Sequence, residues 1–452
     1  MTNRESFTAS NKRRLSLPEI YRSVVNSQSG IVRILVENPA RPEFPALHIA
    51  SALVTDCRYF CENTPVLASA SVYNAAGSGA ALTRENALWS ALGEAIERYA
   101  GGIYDASRFI RESQSKLNTR AVPYSEFIAY SADQYEVPGF PFFAPKTDRI
   151  IDWMPVQRWS DKRGILLPAQ SVFFGLNIQD QAEELGPTMS TGLACGPDAD
   201  AAMATGLREV IERDVFMTMW MLRWPAPRLI LDPVFMDTLD PGVRGLCEGI
   251  HPYRILTYYL PSDFLAPTVL AAVQGVTDGS ITFGAATGFS LAQACEKAII
   301  EACHTWCWSR RFEATQRLLD NPLDHPGSSA NGKLHVAYYL RAEKRAHLDF
   351  LLDSPNQVTA SEVHAALGLT DVSALAARII ASGRDIYMVN VTPCDIEALG
   401  LAVVKVFVSR TQPLYFGDPA WLPHDRRRLV ELAQFWGHPI PTELNPHPHP
   451  FP

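Results

Sequence analysis

Two stretches of this chain carry nearly the same phrase, Ser90-Ala91-Leu92-Gly93-Glu94-Ala95-Ile96-Glu97-Arg98 and Leu207-Arg208-Glu209-Val210-Ile211-Glu212-Arg213-Asp214. On a helix, positions i, i+4 and i+7 share a face, so Ser90, Glu94 and Glu97 line up, with Arg98 one turn beyond Glu94. Ala91, Leu92, Ala95 and Ile96 take the other sides, which describes a helix buried around most of its circumference. A carboxylate on such a helix is costly unless it is paired or bound to a metal. The same holds for Glu209 and Glu212 among Leu207, Val210 and Ile211. Mg²⁺ takes a few carboxylates together with phosphate oxygens and water, so these acids, with Ser90, Arg98 and Arg213, could hold Mg²⁺ and a polyphosphate. A single E-x-x-E-R phrase is usually an exposed helix face laced with ion pairs. Two near-copies in apolar surroundings, each introduced by a glycine-containing loop, favour a site. A third apolar run adds Lys297 and Glu301, again spaced i, i+4.

The segment Asn445-Pro446-His447-Pro448-His449-Pro450-Phe451-Pro452 is of another kind. Alternating prolines hold it extended and stiff, without the donors a helix or central strand needs. Ordering such a rod loses little entropy, so it can enter a groove cheaply. The α-carboxylate expected at Pro452 would sit at its tip. Composition alone reads such segments as solvated ends; next to the acidic helices an inserted rod is the better expectation.

Several elements must position these groups. Ile31 to Val36 reads as a strand. The small-residue stretch Ala75 to Ala81 reads as a loop, and Thr83 as the N-cap of a helix running to about Tyr99. Proline-studded coil is expected from Pro138 to Pro168. A second helix follows Asp198 or Asp200 and runs to about Leu222. Thr268 to Val276 and Ser280 to Thr287 form a hairpin around Thr277-Asp278-Gly279. A third helix starts after Ser290 and passes Glu301, and Asn321 to Lys333 reads as an exposed loop. Helical patterns over Ala360 to Leu367 and Val372 to Ser382 precede strands at Ile386 to Val391 and Leu401 to Val408. Hairpins mixed with long helices, without regular strand–helix alternation, give an α+β fold. Three parts are expected: a flexible lead-in over 1–30, one catalytic domain over 31–440 and the proline-rich tail over 441–452.

Composition narrows the function classes. The 452 residues are 47% hydrophobic and 19% charged, with a formal net charge of −8, so a phosphate-covering basic surface and nucleic-acid binding are not expected. No apolar run approaches about 18 residues, and the polar N-terminus has no apolar segment behind its basic residues, so neither a membrane span nor a secretory signal is expected. Cytoplasmic residence follows as the expectation. Eight scattered cysteines fit free thiols. Cys57 with Cys61, and Cys303-His304 with Cys307, tempt a metal reading, but neither has the spacing of a zinc ribbon.

The phrases Leu82 to Gly101 and Ser190 to Asp214, with the ending Pro448 to Pro452, resemble the YcaO family, and within it the azoline-forming cyclodehydratases of thiazole/oxazole-modified peptide pathways. The likeness extends from about Ile31 onward and includes Leu399 to Gly417. It implies a YcaO-type fold of mixed and antiparallel sheets, with long helices lining an ATP site. The implied reaction begins when a Cys, Ser or Thr side chain of a ribosomal precursor peptide attacks the preceding amide carbonyl. ATP phosphorylates the resulting oxyanion, and loss of phosphate leaves a thiazoline or oxazoline.

By this resemblance Ser90, Glu94, Glu97, Arg98, Glu209, Glu212, Arg213, Lys297 and Glu301 are nucleotide ligands. Glu94, Glu97, Glu209 and Glu212 also hold Mg²⁺, and the Pro452 carboxylate accepts a proton. A separate leader-binding protein and the precursor peptide are the implied partners, with a flavin-dependent dehydrogenase and a homodimeric arrangement as further expectations. The chain departs from the family where a Ser, a Glu and a Gln usually stand, having Ala194, Ala201 and Thr205. Ala80 replaces a loop lysine and Lys297 an arginine, which gives up bidentate phosphate contact. Two alternatives stay open: a nucleotide-poor scaffold subunit, as the alanines permit, and a thioamide- or amidine-forming enzyme, against which the Pro-x-Pro-x-Pro ending argues.

Overall fold

The computed structural model describes residues 15–451 except 40, 42–43, 56–75, 118–119, 175, 177, 179, 181–182, 249–250, 312–331, 368–369 and 418–420. Within the expected lead-in, Leu17–Val24 form a helix, α1, which starts at the Ser16/Glu19 capping box and buries Ile20 and Val24. Strands β1 (Val32–Asn38), β2 (His48–Val54) and β3 (Ala76–Ala81) make an antiparallel sheet in that order. Residues 76–81, expected as a loop, are thus a strand. The expectation failed because this strand has glycine and alanine where large β-branched residues usually stand. A Cβ at Gly79 would lie 2.3 Å from the Ala87 carbonyl oxygen, so the missing side chain lets helix α2 (Arg84–Gly101) lie directly on β3. Thr83 caps α2 by accepting from the Asn86 N–H at 3.3 Å, and Ala87, Leu88, Ala91, Leu92, Ala95 and Ile96 form its buried face.

The second sheet uses β4 (Ile110–Ser113), β5 (Ile150–Arg158), β6 (Gly164–Pro168) and β7 (Leu193–Gly196). The coil expected across 138–168 therefore contains two strands, β5 and β6. Pro155 falls in the gap between the part of β5 that pairs with β4 and the part that pairs with β13, and Pro168 closes β6, places where a missing N–H is tolerated. Helix α3 (Ala199–Leu222) follows, with Asp198 accepting from the Ala201 N–H at 2.8 Å as its cap. The third sheet brings β8 (Arg228–Ile230), β9 (Tyr253–Tyr259), β10 (Thr268–Gly275) and β11 (Ile281–Thr287), then helix α4 (Leu291–Ser309). β10 and β11 form the expected hairpin, with Gly279 at φ +66° in the turn. All their residues are buried, because α4 packs on one face while α3 approaches from the other.

Beyond Gly332 come helix α5 (Gly332–Tyr339), strand β12 (Gln357–Thr359), helices α6 (Ala360–Leu367) and α7 (Val372–Ala381), strands β13 (Ile386–Asn390) and β14 (Ala402–Val408), and helix α8 (Arg426–Phe435). The loop expected at 321–333 lies outside the described residues except at its last two positions, which begin α5. β13 and β14 join β5 to β7, giving the order β4-β5-β13-β14-β7 with β6 on β5, while the third sheet runs β11-β10-β9-β8-β12. The fold is α+β. Among the described residues no single helix is long and apolar enough to cross a membrane.

The clamp between α8 and α3 is ionic. Arg428 is 0% exposed and grips Asp214 and Asp263, reaching Asp263 at 2.7 and 2.8 Å, while the Gln412 N–H donates to Asp214 at 2.6 Å. Breaking a buried pair from one side strands the other charge at about 3–5 kcal/mol. Arg428→Met should therefore lose stability on that scale, and Asp214→Asn combined with Arg428→Met should recover part of it. Urea unfolding midpoints check this, and a loss under about 1 kcal/mol would show that the clamp behaves as a surface pair.

Candidate functional site

Helices α2, α3 and α4 each present acids to the same region. On α2, Glu94 accepts from the Ser78 backbone N–H of β3 at 2.8 Å and from Arg98 at 3.3 Å, while Arg98 lies 3.6 Å from Glu97. On α3, Arg213 stands 3.8 Å from Glu209 and 3.4 Å from Glu212, and Glu212 accepts from the Thr287 N–H of β11 at 3.2 Å. On α4, Glu301 accepts from the Ala285 N–H of β11 at 3.2 Å. Glu97 feels Glu209 across the α2–α3 gap, and Glu301 feels Glu212 across the α3–α4 gap. The acids thus form one line, Glu94, Glu97, Glu209, Glu212, Glu301, with α3 in the middle. Ser90 is exposed one turn before Glu94, and Lys297 projects to solvent one turn before Glu301.

Burial and mutual repulsion set the protonation of this line. Burial raises Glu97 well above the ordinary carboxylate value, with Glu209 and Glu94 adding to it against Arg98. Glu209 is raised by burial against the pull of Arg213 and Arg98. Burial, with Glu209 as a like charge, pushes Glu212 up to about 7. Burial and then Glu212 push Glu301 up to about 8. Crowding by protein, then Arg208, lowers Lys297. Such a line favours cations between its members, since a cation offsets both the burial and the like charges that raise the pKa values.

Three groups left out of the sequence reading also stand here. Lys405 on β14 is 1% exposed, donates to the Met189 carbonyl, and faces Glu209, Arg98 and Glu97. Burial depresses it to about 7. A lone charge in the apolar run Ala402 to Val408 was the signal that could have found it. Arg208 donates to the Ala204 carbonyl at 3.1 Å and to the Thr205 hydroxyl at 3.2 Å, and lies over the Phe289 ring. Ser78 was passed over as part of a supposed loop. The departures fall around these groups: Ala194 is buried on β7, Ala201 sits in the first turn of α3, and Ala80 packs toward α4.

The proline-rich segment runs along the last turns of α3 toward its acids. The Asn445 N–H donates to the Met221 carbonyl at 2.9 Å and its side chain to the Trp220 carbonyl at 3.1 Å. Trp220 Nε1 donates to the His447 carbonyl at 3.0 Å, and the Tyr339 hydroxyl to the Pro448 carbonyl at 2.6 Å. His449 is buried, with Nε2 2.8 Å from the Tyr415 carbonyl oxygen. Phe451 reaches Phe216 at 5.0 Å and lies under the Arg213 guanidinium at 4.2 Å. Pro452 lies outside the described residues.

The donor set suits a polyphosphate with Mg²⁺. Arg213 Nε and Nη1 and Arg208 Nη1 are buried and make no hydrogen bond, which is costly until an anion accepts from them. Among the described residues no three His, Cys, Asp or Glu side chains converge to hold a metal ion by themselves. Mg²⁺ held by these acids would draw several of its oxygens from phosphate and water. Of the cysteine pairs, Cys57 and Cys61 lie outside the described residues, and Cys303 and Cys307 are free and buried. His304 Nε2 lies 2.8 Å from the Ser78 hydroxyl.

The model of the YcaO cyclodehydratase family, described as ATP- and Mg²⁺-binding, matches residues 78–412. The chain belongs to the YcaO family. ATP and Mg²⁺ are accordingly its cofactors. A heterocyclase solved in complex with substrate and cofactor matches with TM-score 0.73 at 19% identity, over 96% of this chain and 56% of that one. YcaO from Methanopyrus kandleri, bound with AMPPCP and Mg²⁺, matches with TM-score 0.58 at 17% identity, over 87% of this chain and 88% of that one. These likenesses show the fold. An uncharacterized protein of Methanothermobacter thermautotrophicus (strain Delta H) is 26% identical over 206 residues, 46% of this chain and 48% of its own length. This YcaO chain therefore spans about half the length of the curated relative and of the heterocyclase it matches.

The raised acids give a pH test. Folded, metal-free Glu301 keeps its proton up to about 8, whereas in the unfolded chain it loses it near 4.5. Its contribution to stability is full below the lower value and is lost as pH rises toward the upper one. Without Mg²⁺ and ATP, the melting temperature of Glu301→Gln minus that of the wild type should therefore grow in favour of the variant between about pH 5 and pH 8. A difference that stays flat over this range would show that Glu301 titrates normally.

Proposed function

We propose that this chain catalyses ATP-dependent cyclodehydration of Cys, Ser or Thr residues in a ribosomal precursor peptide, forming thiazolines or oxazolines. What carries the reading is one arrangement: a line of acids from three helices, with a Pro-x-Pro-x-Pro segment laid along the middle helix until Phe451 meets Arg213. Ser90, Glu94, Glu97, Arg98, Glu209, Glu212, Arg213, Lys297 and Glu301 are the proposed nucleotide ligands. Among them Glu94, Glu97, Glu209 and Glu212 are the proposed holders of Mg²⁺. Bound ATP·Mg²⁺ supplies the phosphoryl group that carries the amide oxygen away. Arg98 and Arg213 draw negative charge to the site, and the backbone N–H groups of Ser78, Thr287 and Ala285 fix the acids that surround it. The proline-rich segment shields one end of the site from water, and the proton acceptor is proposed to stand at Pro452.

A leader-binding partner protein and the precursor peptide are the partners proposed here. A flavin-dependent dehydrogenase and a second copy of this chain complete the proposed assembly, in the cytoplasm. The scaffold reading rests on Ala194, Ala201 and Thr205 and requires that ATP·Mg²⁺ fail to bind.

Glu97→Ala and Glu212→Ala should abolish ATP-dependent cyclisation, read as loss of 18 Da per ring by mass spectrometry, while the variants stay folded because a repelling charge has been removed. Retained cyclisation in both would overturn the assignment of the acids. Deleting His449 to Pro452 should lower cyclisation at least about 10²-fold, the scale of a general base, with ATP affinity changed far less. Undiminished cyclisation after this deletion would refute a catalytic role for the segment.

A further inference from the structure

The acids of α2 and α3 meet over β14, and what stands beneath them is a lysine. A Cβ at Gly192 would lie 2.0 Å from the Val406 carbonyl oxygen, and its φ of +82° suits only glycine without strain. This residue lets the turn before β7 lie flat on β14, and α3 then packs across both strands. The packing leaves Lys405, paired in register with Leu193 on β7 and Val389 on β13, pointing into the seam. The rings of Phe174 and Phe407 lie 5.5 Å from its Nζ, and the Met189 carbonyl accepts from it. The charged groups facing it are Glu209, Arg98 and Glu97. Lys405 is therefore a buried side chain within the electrostatic reach of an acid of α2 and an acid of α3.

We propose that Lys405 is a positioning residue: a fixed protein cation that holds Glu97 and Glu209 together before Mg²⁺ arrives and so sets how strongly this end of the site attracts the metal. The inference rests on the nucleotide-site reading above. An exposed cation could not do this, because water would screen it. A hydrophobic residue of similar length would fill the seam and leave the two acids with Arg98 and Arg213 alone to compensate them. The departure at Ala201, which removes a negative charge from the first turn of α3, is compatible with a site whose cations come partly from the protein.

The experiment compares full-length wild type, Lys405→Met and Lys405→Arg in MgCl₂ titrations without nucleotide, read by calorimetry and thermal unfolding. Lys405→Met should melt below the wild type in chelator. It should also bind Mg²⁺ at least about fivefold more tightly, the lower range of inter-site coupling, so that Mg²⁺ closes much of the melting gap. Lys405→Arg should follow the wild type. If Lys405 only ties down the Met189 carbonyl, the gap will be the same with and without Mg²⁺, and that result overturns the proposal. Should Lys405→Met not fold, the double variant Glu97→Gln with Lys405→Met should restore folded protein, because it removes one of the opposed charges. Failure of that rescue also overturns the proposal. Wild type that binds ATP·Mg²⁺ beside a Lys405→Met variant with unchanged Mg²⁺ affinity sinks only the Lys405 assignment. Wild type that binds neither Mg²⁺ nor ATP sinks the site reading as well.

Discussion

Like charges held close together away from water repel strongly, and the interior of this protein is arranged around that repulsion. Glu97, Glu209, Glu212 and Glu301 lie in a seam between three helices, and burial raises every one of them. They persist there because the surroundings supply partial compensation. Backbone N–H groups at Thr287 and Ala285, which face into the seam from β11, each donate to one acid. Arg98 and Arg213 sit between acids of their own helices. The compensation is incomplete, as the raised values of Glu212 and Glu301 show. Incomplete compensation in the empty protein is what gives cations a reason to bind.

Helix α3 is the member on which the other parts depend. Its middle carries Glu209, Glu212 and Arg213, and its last turns receive the proline-rich segment through the carbonyls of Met221 and Trp220. Asp214, next to Arg213, is gripped by the buried Arg428 of α8. A shift of α3 would therefore disturb the acids, the segment and the clamp together. Its near-complete burial from Val210 to Leu222 makes such a shift unfavourable, since packed interiors do not deform smoothly.

The departures from the family pattern change the balance of charge and leave the scaffold in place. Ala201 keeps its backbone role as donor to the Asp198 cap, and Thr205 serves as acceptor for Arg208. Arg208, Lys297 and Lys405 surround the acids with additional cations. The result is a seam in which protein cations from α3, α4 and β14 stand beside the acids.

Much of this was legible in the sequence because it is local. The two E-x-x-E-R phrases, Thr83 as a cap, a helix start at Asp198 or Asp200, and the turn at Asp278-Gly279 are short-range patterns fixed by helix and turn geometry. The α+β class followed from the order of such elements. Strand β3 was misread because its signal is an absence of side chains, which acquires meaning only when α2 lies on it. Strands β5 and β6 were hidden by prolines that are harmless only in a gap of the ladder or at a strand end. Lys405 showed as a lone charge in an apolar run, but its neighbours come from α2 and α3, far away in the chain. The sequence by itself determined which groups carry charge and which helices display them. Tertiary structure alone decided which charges face one another, because that depends on how closely glycines at positions 79 and 192 let helices and strands approach.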